Sequence, residues 1–206
     1  EFGLSYIDKP DSRDAHRGWA ITTQHVQKDF LGGKNKLAFQ YGEGPGTGLG
    51  YTGNVKLDDS SKSYRIVEFF DWQLTPRFGG QIEAVYQKDI RPDGADQNWL
   101  SLGVRPTYAL TEQFKLVTEL GHDQVDAPGG TRKLSKFTVA PTWSPKGPEF
   151  WARPEVRLYY TYASWNEAAK RAANELAQGS ALSDTGAFGT ARHGANVGLQ
   201  VEYWWK

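Results

Sequence analysis

The chain has 206 residues with 24 basic and 24 acidic side chains, so no net charge favours nucleic acid as a partner. It contains no cysteine, which excludes disulfide bridges and thiolate metal sites, and no methionine, so we expect a processed chain or an internal fragment. No stretch approaches the roughly 18 consecutive apolar residues of a membrane helix, but strands of a membrane barrel carry a much weaker hydropathy signal.

Ten segments alternate apolar and polar residues with the period of two that is typical of a strand with two different faces. In chain order they cover residues 2–7, 18–27, 36–41, 63–73, 79–87, 98–110, 114–123, 136–143, 156–165 and 198–206. The apolar series often ends in an aromatic, such as Tyr108 or Trp143, as in the girdles at membrane interfaces. The opposite series carries charges such as Arg105, Arg157 and Glu202, which a dry core does not tolerate unpaired. The pattern predicts an all-β fold, an antiparallel up-and-down transmembrane β-barrel.

The predicted connections alternate between short and long. The short ones cover 30–35, 74–77, 110–113 and 144–149, and the longer ones cover 8–16, 42–62, 88–97, 123–132 and 166–193. Consecutive connections of an up-and-down barrel lie at opposite ends, and outer-membrane barrels have short turns at one end and long loops at the other.

The two longest connections are predicted to be loops of a single barrel that covers residues 1–206. The first of them, 42–62, begins with a glycine-rich stretch that we expect to be flexible. The second, 166–193, has one segment of helical spacing, which Asn166 can cap and Gly179 can end.

Several stretches of the chain resemble the maltoporin family. They are FWARPEVRLYYTYASW at 150–165, the final strand that ends in EYWW, and the strands at 101–123 and 17–41. The likeness covers almost the whole chain. It implies a homotrimeric, 18-stranded barrel in the outer membrane of a Gram-negative bacterium, of which ten strands would form the C-terminal part. It also implies facilitated diffusion of maltose and maltodextrins, with no enzymatic step.

The resemblance further implies where sugars bind. In the family, a row of lumen aromatics holds the apolar faces of glucosyl units, and its positions in this part of the barrel fall on Trp151 and Trp204. Strand parity places both tryptophans with polar residues, where an aromatic has no core-packing reason. The polar residues on the same face, which we expect to bind sugar hydroxyls, are Arg153, Arg157, Gln200 and Glu202.

One position departs from the family. Lys34 stands where the family has an aromatic, so we expect a shorter aromatic row and an altered sugar preference, unless Lys34 is simply a turn residue. Two other functions stay open at this point. A general-diffusion porin would use the lumen aromatics only as filling, and a soluble carbohydrate-binding β-sandwich would expose its tryptophans to solvent.

Other motifs are weaker. The G-x-G-x-x-G match at 48–53 lacks the strand and helix that a dinucleotide site needs. The four histidines show no metal-ligand spacing, and no Ser–His pair with an orienting group supports a hydrolase. The oxygen-rich segment 93–98 is a weak candidate for a loop calcium, and a solvated turn is the better interpretation. We therefore expect no cofactor.

Overall fold

A computed structural model describes residues 1–11 and 14–205. Residues 12 and 13 and Lys206, which the predicted barrel includes, lie outside the described residues. The strands are β1 (Phe2–Ile7), β2 (Gly18–Phe30), β3 (Gly33–Glu43), β4 (Lys62–Thr75), β5 (Phe78–Ile90), β6 (Gln97–Ala109), β7 (Phe114–Ala127), β8 (Gly130–Trp143), β9 (Glu155–Trp165) and β10 (His193–Glu202). They form one sheet in chain order, and each pairs antiparallel with the next. The predicted all-β, up-and-down arrangement is confirmed.

The strand register places the two residue series on opposite faces of this sheet. Arg157 lies opposite Gln200 on one side and Thr142 on the other, so polar side chains of three strands share a face, which we call the inner face. Leu158 lies opposite Leu199 on the other face, which we call the outer face. The exposed aromatics of the outer face include Tyr86, Tyr108, Phe137, Trp143, Tyr160 and Tyr162. Such a face suits lipid, and the inner face suits water.

The sheet is curved but does not close among the described residues, in which β1 and β10 each pair with one neighbour only. Its curvature is visible in a contact between distant strands. The Trp151 indole Nε1, in the connection before β9, donates a hydrogen bond of 2.9 Å to the Asp71 carboxylate of β4. The open, curved sheet is consistent with part of a barrel wall.

The alternation of connection lengths holds only in part. The prediction of a longer connection over 123–132 is wrong, because β7 continues to Ala127 and β8 begins at Gly130. Gly130 has a φ of 107°, a conformation that glycine adopts at no steric cost and that permits a two-residue turn. The two longest connections are residues 44–61 and 166–192, and the connection predicted to be short at 144–149 extends to residue 154 at the opposite end of the sheet.

The glycine-rich start of the 44–61 connection is folded against the sheet, so the prediction of a flexible loop is wrong there. Gly44–Gly48 forms a short 3₁₀ helix whose five residues are all buried. The Gln40 side-chain amide, on the inner face of β3, donates a 2.9 Å hydrogen bond to the Leu49 carbonyl. A Cβ on Gly46 would lie 1.9 Å from the Trp19 carbonyl oxygen, so glycine here allows backbone to approach backbone.

The 166–192 connection contains the helix α1 (Glu167–Leu176). Asn166 caps it as expected, accepting a 3.0 Å hydrogen bond from the Ala169 N–H, but the helix ends before Gly179, with Ala177 as its C-cap. Hydrogen bonds from Lys170 and Asn174 hold Asp184 and lower the pKa of its carboxyl below the ordinary value. Among the described residues, no helix is long and apolar enough to cross a membrane.

We predict that Gly46→Ala displaces the Gly44–Gly48 helix, because the added Cβ would lie 1.9 Å from backbone. Displacement would loosen the whole 44–61 connection, so trypsin should cut after the exposed Lys56 faster than in the parent protein. Gly129→Ala is the matched control, since nothing lies within 4 Å of a Cβ built there. Equal cleavage rates for both variants would contradict the folded position of this connection.

Candidate functional site

The connection between β8 and β9, residues 144–154, folds onto the inner face. The Lys115 ammonium of β7 donates a 2.9 Å hydrogen bond to the Glu149 carbonyl. The Phe150 N–H donates to the Gln73 side chain at 3.3 Å, and the bond from Trp151 to Asp71 follows directly. The connection is therefore tied both to β7 beside it and to β4 across the curved sheet.

This fold brings Trp151 and Trp204 together. Their ring centroids are 5.9 Å apart with an interplanar angle of 37°, and the side chains are 45% and 49% exposed, respectively. The Arg153 guanidinium lies 4.7 Å from the Trp204 ring centroid, within cation–π range. The Trp204 indole donates a 3.1 Å hydrogen bond to Glu202. Two aromatic surfaces are thus held at fixed positions and remain open to solvent.

The positions of Trp151 and Trp204 do not follow from strand parity, because Trp151 lies in the 144–154 connection and Trp204 lies beyond β10. The predicted strand 198–206 is displaced toward the C-terminus, because β10 covers His193–Glu202. Trp204 lies beyond the last ladder pair, and its ring is oriented by Glu202, Arg153 and Trp151. Tertiary contacts, and not strand alternation, place Trp204 beside the inner-face residues with which the sequence pattern grouped it.

A cluster of five charged side chains lies next to this tryptophan pair. Lys115 and Glu155 form its centre, 3.0 Å apart, with side chains only 1% and 2% exposed. Arg153 contacts Glu155 at 3.2 Å and Glu202 at 3.0 Å. Arg157 contacts Glu202 at 2.8 Å and also pairs with Glu155. The three cations and two carboxylates leave one positive charge in excess beside the aromatic rings.

Arg157 and Gln200 also line a cleft of about 180 Å³ on the inner face. Arg105 and Glu119 form part of its wall and are joined by an ion pair of 2.7 Å. The cleft is lined by hydroxyl, amide and charged groups from neighbouring strands, and it can exchange hydrogen bonds with a polar ligand.

The six residues predicted from the sequence thus fall into two adjoining places. Trp151, Trp204, Arg153 and Glu202 form one contact group, Gln200 lines the cleft, and Arg157 belongs to both. Sequence reasoning missed Asp71, Lys115 and Glu155. Parity places each of them on the inner face, but no local signal shows that strands distant in the chain bring them into contact.

Lys34 lies close to this group through a shared acceptor. Its backbone N–H donates a 3.2 Å hydrogen bond to one oxygen of Asp71, whose other oxygen accepts the Trp151 indole N–H. The Lys34 side chain is exposed. It lies on the inner face, because Lys34 is opposite Asp71 in the β3–β4 ladder. Lys34, where the resemblance implies an aromatic in the family, therefore lies beside the carboxylate that accepts the Trp151 indole N–H.

The acidic segment 93–98 is organised as a turn. Asp93 accepts a 3.0 Å hydrogen bond from the Ala95 N–H, and Asp96 accepts one of 2.7 Å from the Arg91 N–H. Their oxygens thus cap local backbone donors. Over residues 1–11 and 14–205, no group of three or more His, Asp or Glu side chains is arranged to hold a metal ion.

Comparison with protein-family models gives one match over almost the whole chain. The model described as LamB porin covers residues 1–205. The match agrees with the resemblance to sugar porins that the individual motifs indicate.

We predict that Glu155→Ala destabilises the protein by about 3–5 kcal/mol, because it leaves the buried Lys115 ammonium without its carboxylate partner. Urea titration of the reconstituted protein measures this as a lower unfolding midpoint. Glu119→Ala is the control, since its ion pair with Arg105 is about one-third exposed and contributes about 0–1 kcal/mol. Similar midpoints for both variants would contradict a large contribution of the buried Lys115–Glu155 pair to stability.

Proposed function

The chain belongs to the LamB porin family, whose members are outer-membrane sugar channels, and we propose that it forms part of the wall of a passive maltodextrin channel. Its strands are transmembrane β-strands of a porin. Sugars would cross by diffusion along the inner face, with no bond made or broken. The observation that carries this proposal is the pair of half-exposed tryptophans, Trp151 and Trp204, held together on the inner face.

The geometry of the tryptophan pair supports a stacking role. A glucosyl unit has an apolar face that an exposed indole can cover, and both rings are fixed by their own N–H groups, through Asp71 and Glu202. Fixed rings lose little conformational entropy when a sugar binds. Each contact is weak, so a sugar can leave as well as enter, which transport requires.

The polar residues supply the second half of the proposed recognition. Arg153, Arg157 and Glu202 are held in place by the charge cluster, so a hydrogen bond from them to a sugar would need little reorganisation. Gln200 adds an amide donor and acceptor in the adjoining cleft. We assign these four groups to sugar hydroxyls, which both donate and accept hydrogen bonds.

The surroundings of the channel follow from the two faces of the sheet. The outer face would contact outer-membrane lipid in a Gram-negative bacterium, with its exposed aromatics near the interfaces. Each barrel would assemble with two further copies as a homotrimer, as the family resemblance implies. The single ten-stranded sheet disfavours a soluble β-sandwich, which needs two sheets packed face to face.

A less selective porin is the second candidate, and Lys34 is the observation that favours it. A lysine in place of a ring would shorten the aromatic row near Trp151 and would add a positive charge on the inner face. A pore of this kind would conduct ions and small solutes, and maltodextrins would have little effect on its current.

We predict that Trp204→Ala weakens maltohexaose binding about five- to ten-fold, because about 1–1.4 kcal/mol of apolar contact is lost. Titration of the sugar against ion current in planar bilayers measures the affinity, and the current without sugar should persist. Trp143→Ala, which removes an outer-face tryptophan that is 42% exposed, is the control. An unchanged affinity in Trp204→Ala would remove the stacking role.

We also predict that Lys34→Phe tightens maltohexaose binding about two- to five-fold, because it adds a ring next to Trp151 on the inner face. Lys34→Gln removes the positive charge without adding a ring, so it is the control for the loss of charge. It should leave the affinity near that of the parent. If the two variants bind equally, position 34 does not contact the sugar.

A further inference from the structure

A cleft that contains another exposed tryptophan lies at the opposite end of the inner face from Trp151 and Trp204. The helix α1 packs against the inner face of β8, where the long connections emerge. The Asn166 amide donates a 2.7 Å hydrogen bond to the Thr131 carbonyl, and the Lys133 N–H donates one of 3.0 Å to Asn166. The start of the helix is therefore fixed to the wall, and the helix and the wall enclose a cleft of about 440 Å³.

Trp99 forms the wall of this cleft, and its exposure is unusual for the position. It belongs to the polar series of β6 and lies between Gln87 and Val125 across the sheet, so it faces inward. Its side chain is 39% exposed, and no aromatic ring among the described residues pairs with it. It thus presents a free indole face to the water of the inner side.

The rest of the cleft combines apolar walls with a polar rim. Leu134 and the alanine-rich side of α1 close it, and the groups around Trp99 that can hydrogen-bond are Asp89, Gln97, Asp123 and Arg132. Arg132 donates a 3.2 Å hydrogen bond to Gln97, whereas its buried Nε has no partner among the described residues.

This combination fits one ligand chemistry. A pyranose ring has an apolar face for an indole and a rim of hydroxyls for carboxylates, amides and guanidinium groups. The volume lies within the range of small-molecule sites, about 300–1,000 Å³. Trp99 and Arg105, which lines the other cleft, are on the same strand about 20 Å apart, so the two sites are separate along one wall.

We propose that the Trp99 cleft is an entry site that binds a glucosyl unit of a maltodextrin before the chain reaches Trp204 and Trp151. The inference rests on the proposed function, since it assigns the same substrate class to a second place on the wall. A weak site at the mouth raises the local concentration of oriented sugar and speeds entry from that side. By microscopic reversibility it speeds exit through the same mouth equally, so it changes the equilibrium affinity of the inner site little.

Current-blocking kinetics with maltohexaose, added to one side of the membrane at a time, test this entry site. Trp99→Ala should lower the association rate about five-fold when the sugar is added on the side of the long connections. Association from the other side and the equilibrium constant of block should stay near the parent values. Trp99→Tyr keeps a ring and should recover most of the rate. The control is Trp143→Ala on the outer face, which should change neither rate.

The outcomes separate the entry site from the proposed function. Suppose that maltohexaose enters the Trp99→Ala channel at the parent rate from both sides, while Trp204→Ala binds the sugar more weakly. The entry site is then overturned and the maltodextrin channel stands. If maltohexaose does not block the current of the parent protein, the proposed function itself is wrong, and the entry site with it.

A second measurement does not depend on the folding of Trp99→Ala. The chain has no cysteine, so Ala172→Cys places a single thiol in the lining of the cleft. Maltohexaose should slow its modification by a bulky maleimide at least two-fold, whereas sorbitol at the same concentration should not. Equal labelling rates with both additives would overturn the entry site.

Discussion

The buried ion pair between Lys115 and Glu155 is the interaction on which the site depends. Removing both charges from water costs several kcal/mol, which only close pairing and further hydrogen bonds offset. Lys115 obtains these from Glu155 and the Glu149 carbonyl, and Glu155 obtains them from Arg153 and Arg157 as well. Satisfying the pair therefore requires the 144–154 connection to fold inward, and this inward fold places Trp151 on the inner face.

A second constraint is that the sheet contacts lipid with one face and water with the other. Side chains alternate between faces, so each strand must satisfy lipid with one residue series and water with the other. Between the two aromatic sites the inner wall carries Arg105, Glu119 and other polar groups, together with the paired glycines Gly103 and Gly121. A Cβ built at Gly103 would meet only one atom, 4.0 Å away, so the glycines leave this stretch of wall open. A sugar between the two sites would contact a polar, unobstructed surface.

The two long connections shape the inner space by different means. Residues 44–48 rely on close approach of backbone to backbone, which glycine allows at Gly46. The 166–192 connection instead uses side-chain hydrogen bonds: Asn166 ties the start of α1 to β8, while Lys170 bonds the Thr190 carbonyl and Asp184. Both segments lie against the wall at the same end of the sheet.

The alternation of residue types by itself determined the approximate strand positions, the up-and-down order, the two faces and the inward direction of Arg157 and Gln200. These features are local, since period-two patterning and short turns need no knowledge of distant residues. Only the tertiary structure decided that Gly44–Gly48 folds inward, that β7 and β8 meet in a tight turn, and that Lys115, Asp71 and Glu155 support the tryptophan pair. The contacts of the tryptophan pair and its supporting charges join elements that are not neighbours in the sheet, and they depend on its curvature, which no window of the sequence encodes.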